Sequence, residues 1–302
     1  MNNLNFYLGQ ARKSHFAIGH FNFASEDVLK AIVAGAKEAG LGVGSLGGAL
    51  ARPGNSVAPC VMVGTSEGEA DFVGIKEAVA LVRAVADDMQ FPVFLNADHF
   101  KSFEKCKMAI DAGYDSIIAD GSKLPMADNI AFTKQVVDYA RSVNPNISVE
   151  GELGYLKGSS EVQTKIEISP ADYSKPEEVA DFVAQTGVDR MAVVFGNIHG
   201  IVTGQEERLD IPHFASIVAA APQPYYILHG ASGLKDENIA AAIKAGITNV
   251  HFNTELRVAY HDKLKEEMTT MPNETTPYKY LAPAAEEVKK LVIAKTKLFM
   301  MK

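Results

Sequence analysis

The stretch Phe94-Leu95-Asn96-Ala97-Asp98-His99 places a carboxylate beside an imidazole at the end of an apolar run that begins at Phe91. Such a pair can do two jobs: a carboxylate takes and returns a proton, and a neutral imidazole binds a metal ion. The same residues could also be a loop pair satisfied by backbone hydrogen bonds. The run Phe91 to Leu95 predicts a buried strand, and Ser102 is placed to cap a helix that follows it. A strand that delivers Asp98 and His99 at its C-terminal end is half of a βα unit, and in parallel barrels active sites sit at that end.

Other predicted strands end in the same way. Asn22 closes the first, Glu150-Gly151-Glu152 the fifth, His199-Gly200 follows the sixth and His229-Gly230 the seventh. In a barrel all of these face one mouth. His99, His199 and His229 then leave strands three, six and seven, and three imidazoles make a zinc site with an open fourth position. An open position lets the ion polarise a substrate carbonyl. The competing reading is three unrelated histidines among the chain's 8. His15, His20, His213 and His261 lack the placement and read as structural or surface residues. His229-Gly230-Ala231-Ser232-Gly233 precedes a helix, and Asn253-Thr254-Glu255 opens another. Backbone N–H groups at such turns bind anions, and barrels often hold a phosphate after strands seven and eight. An ordinary left-handed glycine turn is the alternative.

The elements that must position these groups follow from periodicity. Short apolar runs predict strands near residues 17–21, 61–64, 91–95, 116–120, 147–150, 190–194, 225–228 and 249–252. Helical patterns lie between them, including a long one over 70–89, one begun by Pro176, and a closing helix over 283–298. Residues 41–59, with five glycines and Pro53, predict an irregular, mobile excursion. Alternating strands and helices predict an α/β fold with a parallel sheet, and at this length a single-domain (β/α)8 TIM barrel with a C-terminal helical extension. An open doubly wound sheet would need a glycine fingerprint after strand one, which Phe21-Asn22-Phe23-Ala24-Ser25 lacks.

The chain has 302 residues, 47% hydrophobic and 22% charged, enough to bury a large core. A net charge of −8 and the absence of a basic run argue against nucleic acid or an anionic membrane as partner. Two cysteines argue against a disulfide scaffold and fit a reducing cytosol. Neither a leader pattern nor an 18-residue apolar run is present, so the expectation is cytoplasmic.

Taken together, the motifs resemble the class II, metal-dependent ketose-bisphosphate aldolases of the fructose- or tagatose-bisphosphate type. The resemblance runs from Gly19 onward through Phe21-Asn22, Thr65-Ser66-Glu67-Gly68-Glu69, Asp98-His99, Val149 to Gly154, His199-Gly200, His229 to Gly233, Asn253-Thr254-Glu255 and Tyr280 to Ala284. It implies one zinc ion on His99, His199 and His229, with Glu152 holding the metal in an alternative position or supporting it. It implies that Asp98 exchanges a proton with the C4 hydroxyl and that Glu161 removes the C1 proton of dihydroxyacetone phosphate while the metal stabilises the enediolate. Asn22 and Ser66 would contact substrate. Gly200, Gly230, Ser232, Asn253 and Thr254 would line the phosphate and a nearby monovalent cation, Na+ or K+. A homo-oligomer, dimer or tetramer, is also implied.

Some positions depart from the family pattern. The Lys usual three residues past the Gly of the second histidine motif is missing from Gly200-Ile201-Val202-Thr203. His251 stands where Asn is usual, and Gly158-Ser159-Ser160 replaces a glycine pair. One lost charged hydrogen bond costs about 1.5–3 kcal/mol, so the phosphate grip should differ in strength or shape. The expected reaction is cleavage of fructose 1,6-bisphosphate. A tagatose bisphosphate or other phosphorylated ketose is the alternative sugar, and a sugar-phosphate-binding barrel without turnover the alternative class.

Overall fold

The computed structural model describes residues 2–41 and 59–302. The glycine-rich excursion expected over 41–59 lies, apart from its ends, outside the described residues. In chain order the elements are α1 (Leu4–Ser14), β1 (Ile18–Asn22), α2 (Glu26–Leu41), β2 (Val61–Ser66), α3 (Glu67–Val73), α4 (Ile75–Met89), β3 (Val93–Phe100), α5 (Phe103–Ala112), β4 (Ser116–Ala119), α6 (Met126–Val143) and β5 (Ser148–Leu153). They continue with β6 (Gly158–Gln163), α7 (Pro176–Thr186), β7 (Arg190–Val193), β8 (His199–Val202), α8 (Ile211–Ala220), β9 (Tyr225–Leu228), α9 (Asp236–Ala245), β10 (Ile247–His251), α10 (Thr254–Thr270) and α11 (Pro277–Phe299).

Eight strands close into a barrel in the order β1-β10-β9-β7-β5-β4-β3-β2, every neighbouring pair parallel. The (β/α)8 expectation is met, and each predicted strand has its counterpart. Strand alternation divides the two faces. On β3, Val93, Leu95 and Ala97 join the apolar layer under the helices, while Phe94 faces the barrel base with Ile18 and Met62. Above Phe94 on the inner face come Asn96 and then Asp98. β5 carries Ser148, Glu150 and Glu152 inward in the same sequence, all buried. The barrel is therefore apolar at its base and polar through its middle, and it ends in chemistry at its mouth.

Sequence periodicity missed several elements. Helix α1 is capped by Asn3, whose side chain accepts from the N–H of Phe6, and its buried face of Leu4, Tyr7, Leu8 and Ala11 plugs the barrel base. Only four apolar positions carry it, too few for a strong periodic signal. The helix expected over 70–89 breaks at Gly74, whose φ of +93° ends α3. The loop after β5 contains β6, which pairs with β8 in a small parallel sheet above the mouth. Helix α11 starts before Pro283 and carries that proline near its N-terminal end. It lies over β1, where Phe299 stacks on Phe21 and accepts the Ala17 N–H through its carbonyl.

The β6–β8 approach depends on Gly200. Its φ is +89°, and a Cβ there would fall 2.2 Å from the carbonyl oxygen of Ser159 and 2.3 Å from that of Glu161. Gly200→Ala should therefore free β6 from β8. Limited proteolysis should cut the segment 155–168 at least several-fold faster, with the barrel's melting temperature little changed. An unchanged cleavage rate would show that Gly200 does not hold this sheet.

Candidate active site

Asp98 and His99 are adjacent, so a regular strand would send them to opposite faces. The structure avoids this with a bulge. The β3–β4 ladder shifts register between Ala97 and Phe100, and His99 takes a left-handed conformation with φ +55°. Such a conformation is costly for a residue with a Cβ and persists only where the surroundings hold it. Both side chains now reach the mouth.

There the three expected imidazoles meet. Ring centroids lie 5.1 Å apart for His99 and His199, 4.7 Å for His99 and His229, and 6.2 Å for His199 and His229. Their tautomers follow from their partners, because a carboxylate only accepts. His229 Nε2 is 2.7 Å from Glu150 Oε1, so it carries the hydrogen and Nδ1 keeps a lone pair. His99 Nδ1 lies 3.2 Å from Asp120 Oδ2 and 3.1 Å from Glu152 Oε1, so its Nε2 keeps a lone pair. These two nitrogens face each other at 3.1 Å. Two lone pairs so close repel unless a cation stands between them. Tetrahedral zinc with bonds near 2.0–2.1 Å spaces its nitrogen ligands at about 3.3 Å, so the donor set fits such an ion. Ligand atoms of His99, His199 and His229 all lie within 4.8 Å of one another. Glu152 Oε1, 3.4 Å from His229 Nδ1, is close enough to join them or to orient His99.

Asp98 sits alongside, with its two oxygens in different states. Oδ2 accepts from Asn22 Nδ2 at 2.8 Å. Oδ1 is buried and has no hydrogen-bond donor. His251 Nδ1 is 3.5 Å away, but the other nitrogen, Nε2, is 3.1 Å from Asn249 Oδ1. Asn249 donates its own amide to the carbonyl of Ile18, so its Oδ1 accepts from His251. A neutral His251 therefore turns a lone pair toward Asp98. Burial holds His251 neutral, its pKa pushed well below the ordinary imidazole value. Burial alone would raise the Asp98 pKa, but His99, His20 and the Asn22 hydrogen bond outweigh it and keep Asp98 ionised. The site thus holds a carboxylate oxygen lacking one donor, which a substrate hydroxyl would supply.

A family model for class-II fructose-bisphosphate aldolase matches residues 49–302. The chain belongs to this aldolase family. A fructose-bisphosphate aldolase of Geobacillus stearothermophilus is 33% identical over 97% of this chain and 94% of its own length. A 6-phospho-5-dehydro-2-deoxy-D-gluconate aldolase of Shouchella clausii is 36% identical over 90% and 84%. Among solved structures, the YdjI aldolase of Escherichia coli K12 aligns with a TM-score of 0.80 at 26% identity, covering 99% of this chain and 97% of that one. The chain is thus an aldolase of a family that is typically metal-dependent, and no helix among the described residues is long and apolar enough to cross a membrane.

The aldolase cleft has a volume of about 300 Å³. Besides Asp98 and the three histidines, it is lined by Asn22, Ser66, Glu152, Gly200, Gly230, Ser232, Asn253 and Thr254. Ser66 caps α3, with its Oγ 2.9 Å from Glu69 Oε2, an oxygen that also accepts from Asn22. Gly230 has φ +68°, and a Cβ there would sit 2.0 Å from the carbonyl of Ile198. Thr254 Oγ1 is 3.0 Å from Ser160 Oγ. Asn253 Oδ1 is buried with no donor. Glu255 already takes one amide of the turn, the Gly233 N–H, at 2.8 Å. Glu161 is placed differently: it is exposed on β6 and faces a side groove with Ser160, Val162 and Arg257.

Sequence reasoning missed four contributors. Arg257, Lys101 and Lys123 bring positive charge to the cleft wall. Arg257 stands one helical turn after Asn253, a signal that was available. His20, read as structural or surface, is buried and stacks on His251 at 3.8 Å, which in turn stacks on His229 at 4.2 Å. These near-parallel rings form a stacked wall beside the three histidines.

Burial lowers the His99 pKa, but the Glu152 and Asp98 charges overcome this and raise it well above the ordinary value. A proton on His99 competes with a metal ion for the same ring nitrogen. A metal ion must displace it, so affinity should rise as pH climbs toward the His99 pKa and level off above it. Competition with a chromophoric chelator should show Zn2+ affinity growing by up to about tenfold per pH unit on the acid side of the His99 pKa. A flat profile would refute this competition at His99.

Proposed function

We propose that the chain is a zinc-dependent aldolase that reversibly cleaves fructose 1,6-bisphosphate into dihydroxyacetone phosphate and glyceraldehyde 3-phosphate. What supports this most directly is the donor-less Oδ1 of Asp98 beside three converging histidines. A divalent ion on His99, His199 and His229 would act as the Lewis acid at the ketose carbonyl. Asp98 Oδ1 takes the proton of the C4 hydroxyl as the C3–C4 bond breaks and returns it in synthesis. Asn22 fixes the other oxygen, so one atom serves as base. Glu161 exchanges the C1 proton of the dihydroxyacetone phosphate half, which requires β6 to bring it from the side groove into the cleft. The phosphate lies against Gly200, Gly230, Ser232, Asn253 and Thr254, beside a monovalent cation (Na+ or K+). Arg257 supplies the charge that a Lys after Gly200 would otherwise provide.

A second sugar is favoured by a specific observation. The relative at 36% identity is named for 6-phospho-5-dehydro-2-deoxy-D-gluconate, and that at 33% for fructose bisphosphate. Both substrates carry a negative group at each end, which suits a cleft with Arg257 on one wall and Lys101 and Lys123 on its lining.

Asp98→Asn should lower kcat by about 10²–10⁴-fold while dihydroxyacetone phosphate still binds. Chelation should abolish cleavage, and Zn2+ should restore it. Glu161→Gln should slow hydrogen exchange at C1 of dihydroxyacetone phosphate. Full activity after metal stripping, or wild type that binds ketose phosphates without cleaving any, would reject the proposal. A comparison of kcat/KM for fructose, tagatose and the deoxygluconate phosphates decides the sugar.

A further inference from the structure

Arg190 is the largest fully buried side chain among the described residues, and the proposed reaction does not use it. It enters the barrel from β7, directly opposite Glu150 of β5 in the ladder. Its NH1 forms an ion pair with Glu150 Oε2 at 2.6 Å, and both side chains are 0% exposed. Neither atom has another partner. The rest of the guanidinium is pinned. Nε reaches Ser148 Oγ at 3.2 Å, and NH2 reaches Asn96 Oδ1 at 3.1 Å and also Ser116 Oγ. The fork therefore cannot rotate without breaking bonds to three strands. Glu150 has one oxygen on this cation and the other on His229 Nε2.

We propose that Arg190 is a positioning residue for the metal centre: by clamping Glu150 it fixes the Nε2–H tautomer of His229 and so aims the Nδ1 lone pair at the ion. A carboxylate clamped on one oxygen presents the other as acceptor only, in one orientation. Partners of this outer kind commonly change metal affinity 10–100-fold when removed. A merely structural Arg190 would instead lower thermal stability and leave the ion's environment alone. The proposal rests on His99, His199 and His229 being the metal centre.

The test reads metal binding, not turnover. Zn2+ affinity by chelator competition and the visible spectrum of the Co2+ form are compared for wild type, Arg190→Met, Glu150→Gln and the double variant. Expected is about 10–100-fold weaker Zn2+ binding in each single variant with a changed Co2+ spectrum. The double variant should be no weaker than Glu150→Gln alone, because Arg190 acts only through that carboxylate. A folded Arg190→Met protein with wild-type affinity and spectrum overturns the proposal. So does a double variant whose losses add. Where Arg190→Met fails to fold, the comparison of Glu150→Gln with the double variant decides, since no unpaired carboxylate remains there. Wild type that binds neither metal rejects the reading of the centre itself, a different result from either.

Discussion

Two ring nitrogens facing each other at 3.1 Å, each denied a hydrogen by a carboxylate behind it, set the terms for the whole barrel mouth. The arrangement is unfavourable in isolation, because neutral imidazoles with opposed lone pairs repel. It becomes favourable only around a positive charge. The surrounding protein must therefore hold both rings against relaxation. For His99 that is the bulge in β3 and the pair Asp120 and Glu152. For His229 it is Glu150 below and the His251 ring stacked beside it at 4.2 Å. A site assembled under such opposition has its geometry before the ion arrives, which is what a Lewis acid with an open position needs.

The polar middle of the barrel follows from the same requirement. Glu150 is fully buried, and a buried carboxylate must be paired. Arg190 answers that charge and brings its own need for acceptors, met by Ser148, Ser116 and Asn96. Asn96 in turn uses its amide on His20 Nε2 at 3.1 Å, so the network reaches from the centre to the stacked wall. His20 needs space, and Gly64 on the neighbouring strand provides it: a Cβ there would lie 2.3 Å from His20 Nε2. A chain of local satisfactions thus links a glycine in β2 to the imidazole of β9's end.

This explains which features could be read in the sequence. The eight strands, Asp98 and the three metal-binding candidates were legible because each closes an apolar run with a polar group, a pattern local to a few residues. The network behind them was not. Arg190 opens a strand and looks like a solvated charge at a strand start; only barrel closure turns it inward against Glu150. His20 lies one residue before Phe21 inside an apolar run, where a satisfied core histidine is the ordinary reading. Its relation to His251 spans most of the chain and exists only because β1 and β10 pair, with His20 opposite His251 in register. The β6–β8 sheet was hidden for another reason. The residues of β6 are mostly polar and exposed, and the local mark in β8 is the glycine that allows two backbones to touch.

The same logic bears on how substrate is gripped. The departure at Gly200-Ile201-Val202-Thr203 removes a lysine but not the need for charge, and the cleft supplies Arg257 from a different element. That guanidinium is already engaged with Ser160, 2.9 Å from its Oγ, and Ser160 belongs to β6 next to Glu161. In the proposed phosphate site, substrate and β6 would therefore compete for one cation. On the proposed reading, a phosphate that drew Arg257 away from Ser160 would loosen β6, the strand that carries Glu161. Thr254 adds to the coupling, because its hydroxyl also pairs with Ser160 while its backbone opens α10 toward the phosphate turn. An arginine on α10 in place of a lysine after β8 would thus do more than preserve charge: it would connect the proposed phosphate capture to the movement of the strand that carries Glu161.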